Sequence, residues 1–358
     1  MHIARRFGRG TLGVFCLLGC SLNTKVQPGE GAGGGTAMEW AGGSQGGAVA
    51  GDGGSKNIAG ATGLPAGAPA AMGGDLIVGQ AGAAGSAASM GGSSPGVAGA
   101  AGSPATTAGC GKIDWPRTND QAGGTPYTLD IDGTTRQYYV SLPGAYDPSQ
   151  PTRVVFAWHW LTATARSVIG GGFGGAYYGL KTRMPNAIYI AAEGLGDNGQ
   201  TGWANTGGRD VAFLRAMLQW LDENYCVDKS RIFSVGFSYG GIMSNALACQ
   251  LGSAFRAIAP FAGSMFGRAN ACVNQPVAAH ITHGSADETL NISGGIAARD
   301  YLIAANHCTT TTVPIDPAPC VAYQGCDAGY PVIWCEHPGG HTVPSFATPA
   351  VATFFQQF

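Results

Sequence analysis

From Cys110 onward the sequence predicts an α/β fold, with a mostly parallel central sheet and helices on both faces. Three observations predict it. Short apolar, β-branched runs alternate with helix-forming stretches over the whole segment, as in chains built from crossover connections between parallel strands. The runs at 153–158 and 187–192 are apolar almost without interruption, as strands buried on both faces are. A third such run passes into a helix through Gly236-Phe237-Ser238-Tyr239-Gly240, a stretch short enough to demand a sharp elbow.

The elements follow in order. Residues 138–142 (YYVSL) form a first strand, ended by Pro143-Gly144, a pair that suits a turn. Residues 153–158 form a second strand, which runs into His159-Trp160-Leu161-Thr162, and residues 187–192 form a third. Val211, Leu214, Leu218 and Leu221 recur at three- and four-residue steps, which puts an apolar stripe on one helix face. Asp210 is placed to cap that helix. Residues 232–235 are the strand entering the elbow, and 241–248 the helix leaving it. Strands at 257–261 and 277–282, a helix at 294–305, a strand at 332–336 and a closing helix at 347–358 complete the domain.

Upstream of Cys110 the composition changes. The chain has 358 residues, 60 of them glycine, and only 11% are charged, against about 25% in an ordinary domain. Residues 1–19 combine a basic start, Arg5-Arg6, with a short apolar core at 12–18. That core is too short to span a bilayer and reads as an export signal. It ends in Leu17-Leu18-Gly19-Cys20, which resembles the bacterial lipobox. Cys20 is therefore the expected lipid attachment site, and the membrane an expected partner. Each buried CH₂ of an acyl chain contributes about 0.8 kcal/mol, so more than one chain makes attachment stable. Residues 20–109 are rich in Gly, Ala and Ser. They lack the apolar surface to offset the entropy of ordering, and are expected to form a flexible tether. Residues 110–358 are the expected folded domain. A net charge of −2 with no basic cluster beyond the N-terminus gives no reason to expect nucleic acid as a partner.

Cys16 lies in the signal. Beyond it and Cys20, the cysteines are Cys110, Cys226, Cys249, Cys272, Cys308, Cys320, Cys326 and Cys335. An even set in an exported domain reads as disulfides, the last four pairing mainly among themselves. No C-x-x-C pair occurs, which argues against zinc.

The chemistry centres on the elbow. Glycines let strand and helix crowd together and leave Ser238 on a tight turn with its hydroxyl outward. A neutral hydroxyl is a weak nucleophile and needs a base, and the base needs a third group to fix its tautomer. His337 and His341 frame Pro338-Gly339-Gly340 after the last strand. That triplet forbids a helix and suits a loop that swings a histidine over the site. His341 is the expected base. His280 and His283, in or at the end of a buried strand, read as structural. The acid is expected between Ser238 and His341, in the loop His283-Gly284-Ser285-Ala286-Asp287-Glu288. Asp287 is the choice and Glu288 the competitor, whereas Asp222, Asp228 and Asp300 fit poorly. The oxyanion is expected to be held by backbone amides of Tyr239 and of Trp160 or Leu161. His159, Trp160 and Trp203 are the expected substrate contacts, with Tyr239 beside them. Trp158 reads as core.

The domain resembles the feruloyl esterase branch of carbohydrate esterase family one, a group close to extracellular polyhydroxybutyrate depolymerases. The likeness rests on RQYYVSLPGAYDP, VVFAWHW, GWANTGGRDVAF, YCVDKSRIFSVGFSYGG, HGSADETL and CVAYQGCDAGYPVIWCEHPGGH, spread in order over the domain. It implies an α/β-hydrolase without metal or organic cofactor, secreted, acting on esters of plant cell-wall polysaccharide. It also implies Ser238 as nucleophile, Asp287 as acid and His341 as base. One position departs from the pattern: many relatives have glycine where this chain has Trp160, which narrows the pocket or stacks on an aromatic acyl group. Two alternatives stand beside a feruloyl esterase: the same machinery acting on acetylated xylan or polyhydroxyalkanoate, and a glycan-binding lipoprotein without catalysis.

Overall fold

A computed structural model describes residues 107–196, 199–265 and 272–358. The expected signal peptide, Cys20 and the expected tether up to residue 106 lie outside the described residues. Packing begins ahead of Cys110. Thr107 is buried, and its hydroxyl donates to the Tyr225 carbonyl at 2.5 Å and accepts the Val227 amide at 3.0 Å.

The strands are β1 (Tyr127–Ile131), β2 (Thr134–Ser141), β3 (Thr152–Trp158), β4 (Ile188–Ala192), β5 (Val227–Phe237), β6 (Ala257–Phe261), β7 (Ala278–Gly284), β8 (Thr312–Pro314), β9 (Cys320–Tyr323) and β10 (Val332–His337). They form one sheet in the order β1-β2-β4-β3-β5-β6-β7-β10-β9-β8. From β4 to β10 every neighbouring pair is parallel, while both margins are antiparallel. The parallel centre is the part that the apolar runs predict.

The helices are α1 (Ala165–Ile169), α2 (Leu180–Arg183), α3 (Arg209–Asn224), α4 (Tyr239–Leu251), α5 (Ile292–Ala305) and α6 (Ala347–Gln356). Side chains of a strand alternate between faces, so β3 feeds two cores. Val154, Phe156 and Trp158 join Phe213 and Leu214 of α3, Leu247 of α4 and Leu302 of α5. Val155 and Ala157 join Val168 of α1, Leu180 of α2 and Val351 and Phe355 of α6. Burying each such large apolar side chain contributes about 1.5–3 kcal/mol.

Two expectations change. The sequence reading has no β1, β8 or β9, which are short and lie at the sheet margins. β1 reaches β2 through Asp132-Gly133, both at positive φ (51° and 77°). This is a two-residue turn of the kind Asp-Gly makes in hairpins. Asp210 is not the cap of α3. It lies inside the first turn, and its buried carboxylate pairs with Arg136 at 2.8 Å. The Asn205 side chain does the capping, its Oδ1 accepting the amides of Asp210 and Val211 at 3.0 and 3.1 Å.

The disulfides are Cys110–Cys226, Cys249–Cys272, Cys308–Cys326 and Cys320–Cys335. The last four cysteines do pair among themselves. Cys320–Cys335 ties the neighbouring strands β9 and β10, and Cys110–Cys226 closes the longest loop, 116 residues.

Candidate active site

The elbow is where β5 meets α4. Ser238 sits between them at φ 56°, ψ −117°, a backbone conformation that costs a non-glycine residue on the order of 1–3 kcal/mol. Surrounding bonds hold it there. The Ser238 amide donates to the Phe261 carbonyl of β6 at 2.9 Å. The buried Tyr178 hydroxyl donates to the Trp158 carbonyl at 2.6 Å and receives the Phe237 amide at 3.2 Å. Glycine is required on both sides of the turn. A Cβ on Gly236 would lie 2.4 Å from the Gly240 backbone, and one on Gly240 would lie 2.1 Å from the Trp158 carbonyl oxygen.

Three expected residues converge at the carboxyl ends of the strands. The Ser238 Oγ is 2.8 Å from His341 Nε2, and His341 Nδ1 is 2.7 Å from Asp287 Oδ2. A carboxylate accepts, so Nδ1 carries the hydrogen and Nε2 is left to accept from the serine hydroxyl. The loop after β7 carries Asp287, and the loop after β10 carries His341. These loops are joined by backbone bonds, Ser285 N–H to the His337 carbonyl at 2.8 Å and Ala286 N–H to the Gly339 carbonyl at 3.1 Å. Phe237 packs against the His341 ring with centroids 4.7 Å apart.

Asp287 is buried, whereas Glu288 is exposed. Burial by itself raises the Asp287 pKa. The bond from His341, the Leu290 and Thr289 amides and the nearby imidazole together outweigh it and hold the carboxyl below its ordinary value. His337 takes no part in the Ser238–His341–Asp287 line; its Nδ1 accepts the Gly339 amide at 3.1 Å.

The backbone donors sit beside Ser238. Tyr239 opens α4, so its amide is not used by the helix's own carbonyls. Across from it, neither the Trp160 nor the Leu161 amide donates a hydrogen bond among the described residues.

A narrow cleft with a cavity volume of about 50 Å³ begins at Tyr239 and is walled by Trp203, Ile242, Ala246, Ser264 and Met265. Trp203 is the expected contact that lines it, its indole N–H spent on the His159 carbonyl at 2.9 Å. The other two expected substrate contacts are placed differently. His159 is fully buried, with Nε2 accepting the Gly194 amide at 2.9 Å and Nδ1 2.8 Å from the Trp160 carbonyl. Burial pulls its pKa down to about 4, against a smaller opposing effect of the Trp160 carbonyl. It is thus a neutral pin for the loop after β3, with no nitrogen left for a substrate. Trp160 does not line the Trp203 cleft. Its ring packs edge-on against Phe173 at 4.8 Å, and Phe173 lies 4.5 Å from Phe237, on the His341 side. Trp158 is core, as expected, bonded to Ser234 Oγ at 2.8 Å.

Ligand atoms of His280, Cys320 and Cys335 lie within 4.8 Å of one another. Both sulfurs are joined in one disulfide, so that cluster offers a metal a single imidazole.

Sequence reasoning missed Phe237, Phe173, Tyr178 and Asn205. Phe237 could have been suspected as a neighbour of Ser238. The others act through long-range contacts that no local pattern marks.

The chain is 37% identical over 257 residues to feruloyl esterase D of Neurospora crassa, covering 68% of this chain and 84% of the relative. The chain belongs to the feruloyl esterase family. Feruloyl esterase C of Emericella nidulans is 34% identical over 213 residues, covering 58% of this chain and 76% of that relative. Residues 186–287 also match the prolyl oligopeptidase family. Among solved structures, an acetyl xylan esterase from Aspergillus awamori superposes with a TM-score of 0.52 at 18% identity, covering 65% of this chain and 99% of that one. That likeness concerns the fold, which is an α/β-hydrolase. Family membership makes the chain a carboxylic ester hydrolase.

Proposed function

We propose that the chain releases ferulate or related hydroxycinnamates from plant cell-wall polysaccharide such as xylan, by an acyl-enzyme route through Ser238. The unbroken line from Ser238 Oγ through His341 to Asp287, at 2.8 and 2.7 Å, carries the reading. In the first half, Ser238 Oγ bonds to the ester carbonyl carbon as His341 Nε2 takes the hydroxyl proton. Asp287 holds the imidazole in the tautomer that can accept it and stabilises the imidazolium that results. The amides of Tyr239 and of Trp160 or Leu161 receive the oxyanion. The ester C–O bond then breaks, and the leaving sugar oxygen takes the proton from His341. Water repeats the cycle on the acyl-enzyme and frees the acid. No metal or organic cofactor enters any step.

The names of the relatives support the acyl group, and so do Trp203 and Tyr239 in the lining of the cleft that begins at the residue after Ser238, since aromatic faces suit a flat ring. We further propose residues 110–358 as the catalytic domain, residues 1–19 as a lipoprotein-type signal peptide, and Cys20 as a lipid anchor. Residues 20–109 would then tether the domain outside the cell. The disulfides fit such an oxidising location.

The test is hydrolysis of methyl ferulate, 4-nitrophenyl acetate and hydroxybutyrate oligomers by the full chain and by Ser238→Ala. Ferulate release well above acetate release is expected, with Ser238→Ala losing at least about 10⁴-fold in kcat. A fluorophosphonate probe is expected to label Ser238. Preference for acetate or for hydroxybutyrate oligomers moves the substrate to those esters. Glycan binding without turnover or labelling removes the catalytic reading.

A further inference from the structure

Asp287 is held by more than His341. Its Oδ1 accepts the amides of Thr289 and Leu290 at 2.9 and 2.8 Å. Its Oδ2, besides receiving His341, lies 3.4 Å from Nε2 of a second imidazole, His283. His283 is fully buried in β7, and the same Nε2 is 2.8 Å from the Leu290 carbonyl oxygen. A carbonyl can only accept, so Nε2 must carry a hydrogen. One N–H therefore faces two acceptors, the Leu290 carbonyl and the Asp287 carboxylate. At the opposite side of the ring, Nδ1 has no hydrogen-bond partner among the described residues. The ring cannot easily turn. Gly295 of α5 closes on it, where a Cβ would come within 2.4 Å of Nδ1, and Trp334 lies nearly parallel at 6.5 Å between centroids.

We infer that His283 is a positioning residue for Asp287. Its Nε2–H ties down the Leu290 carbonyl, and so fixes the 287–290 turn whose amides hold Oδ1. The same hydrogen flanks Oδ2 and keeps that oxygen aimed at His341. His283 touches neither Ser238 nor the cleft, so it acts only through the carboxylate. The inference rests on Ser238, His341 and Asp287 working as proposed above. The titratable groups around the pair are His341 and, from β10, His337 and Glu336, the latter in register with His283; α5 turns Gly295 toward the ring, with Arg299 lying over Trp334.

The chemistry predicts a particular pattern. A displaced carboxylate misorients the imidazole, and an error of about 1 Å costs on the order of 10²-fold in rate. Substrate binding is untouched. Removing a donor from Oδ2 also leaves the carboxylate a stronger acceptor, which favours the imidazolium and moves the acid limb of kcat/KM to higher pH.

The experiment compares His283→Gln, His283→Asn and His283→Phe in the full chain. Glutamine can place an amide N–H near the position of Nε2; asparagine reaches only the position of Nδ1, and phenylalanine offers neither. With 4-nitrophenyl acetate and methyl ferulate, His283→Asn and His283→Phe are expected to lose about 10- to 100-fold in kcat, with KM within about twofold of the parent and the acid limb raised. His283→Gln is expected to recover most of the rate and the parent pH profile. If His283→Phe does not fold, the contrast between the two amides decides. The low-field NMR resonance of the His341 Nδ1–H should then be kept in His283→Gln and shifted in His283→Asn. A rate in His283→Asn or His283→Phe within twofold of the parent overturns the inference, as does a His283→Gln variant no better than His283→Asn. If Ser238→Ala is inactive while His283→Asn is unimpaired, only the inference falls. If Ser238→Ala keeps the parent rate, the proposed mechanism falls with it.

Discussion

Ser238 occupies a backbone conformation that few side chains adopt, and its neighbours are chosen to hold it there. Gly240 faces the Trp158 carbonyl so closely that a methyl group would sit 2.1 Å from the oxygen. The obstacle is backbone in the middle of the sheet, so it cannot swing away as a flexible side chain would. Gly240→Ala is expected to destabilise the fold by about 1–3 kcal/mol, as overpacking does. It should also lower kcat, because α4 must move and Ser238 moves with it. Urea unfolding and ester turnover measured on one preparation check both; parent-like values in both would mean that the elbow tolerates a side chain. His159 shows the opposite case. Its position after β3 suggests a substrate contact, but both ring nitrogens are spent on the backbone. Its task is to fix the loop that carries the Trp160 and Leu161 amides.

The start of α3 shows how an element is secured when its own first residues do not cap it. Asn205 caps the helix from outside, and Asp210 is left to meet Arg136 of β2 in the interior. Arg136 is 1% exposed, and its guanidinium also donates to the Glu193 carbonyl at 3.1 Å. A buried pair of this kind adds little net stability, but removing one partner strands the other charge at a cost of about 3–5 kcal/mol. Arg136→Leu is therefore expected to lose that amount in urea unfolding, whereas the double change Arg136→Leu with Asp210→Leu should recover part of it. Equal losses in the single and double variants would show that packing and not charge dominates. Because α3 follows the loop bearing Trp203, a loosened α3 should also disturb one wall of the cleft.

On the scale of the whole molecule, burial of ionisable groups sets the response to acid. His159 and His280 are both buried, and desolvation lowers each pKa to about 4 from an ordinary 6.5. In the window between those values the unfolded chain binds protons that the folded chain refuses, so stability falls as pH falls. The full contribution is present above about pH 6.5 and is lost by about pH 4, a decline on the order of a few kcal/mol. Thermal melts from pH 7.5 to 4 should show it, and His280→Gln should flatten part of the slope; a melting temperature independent of pH over that range would refute it. The four disulfides among the described residues oppose this loss by restricting the unfolded chain. The parallel centre of the sheet is legible in the chain before any folding, because strands buried on both faces must be written as apolar runs. The proposed order Ser238, Asp287, His341 is legible there as well, because each lies in a loop directly after a recognisable strand. The hairpin β1–β2 was written there too, in Asp132-Gly133, but its half-exposed strand lacks the apolar run that marks the others. Packing alone reveals which cysteines pair, that His159 faces backbone, that Asp210 meets Arg136, and that His283 stands against Asp287. Those contacts join segments distant along the chain, or turn on which face of a strand a ring occupies. Local composition carries no record of either.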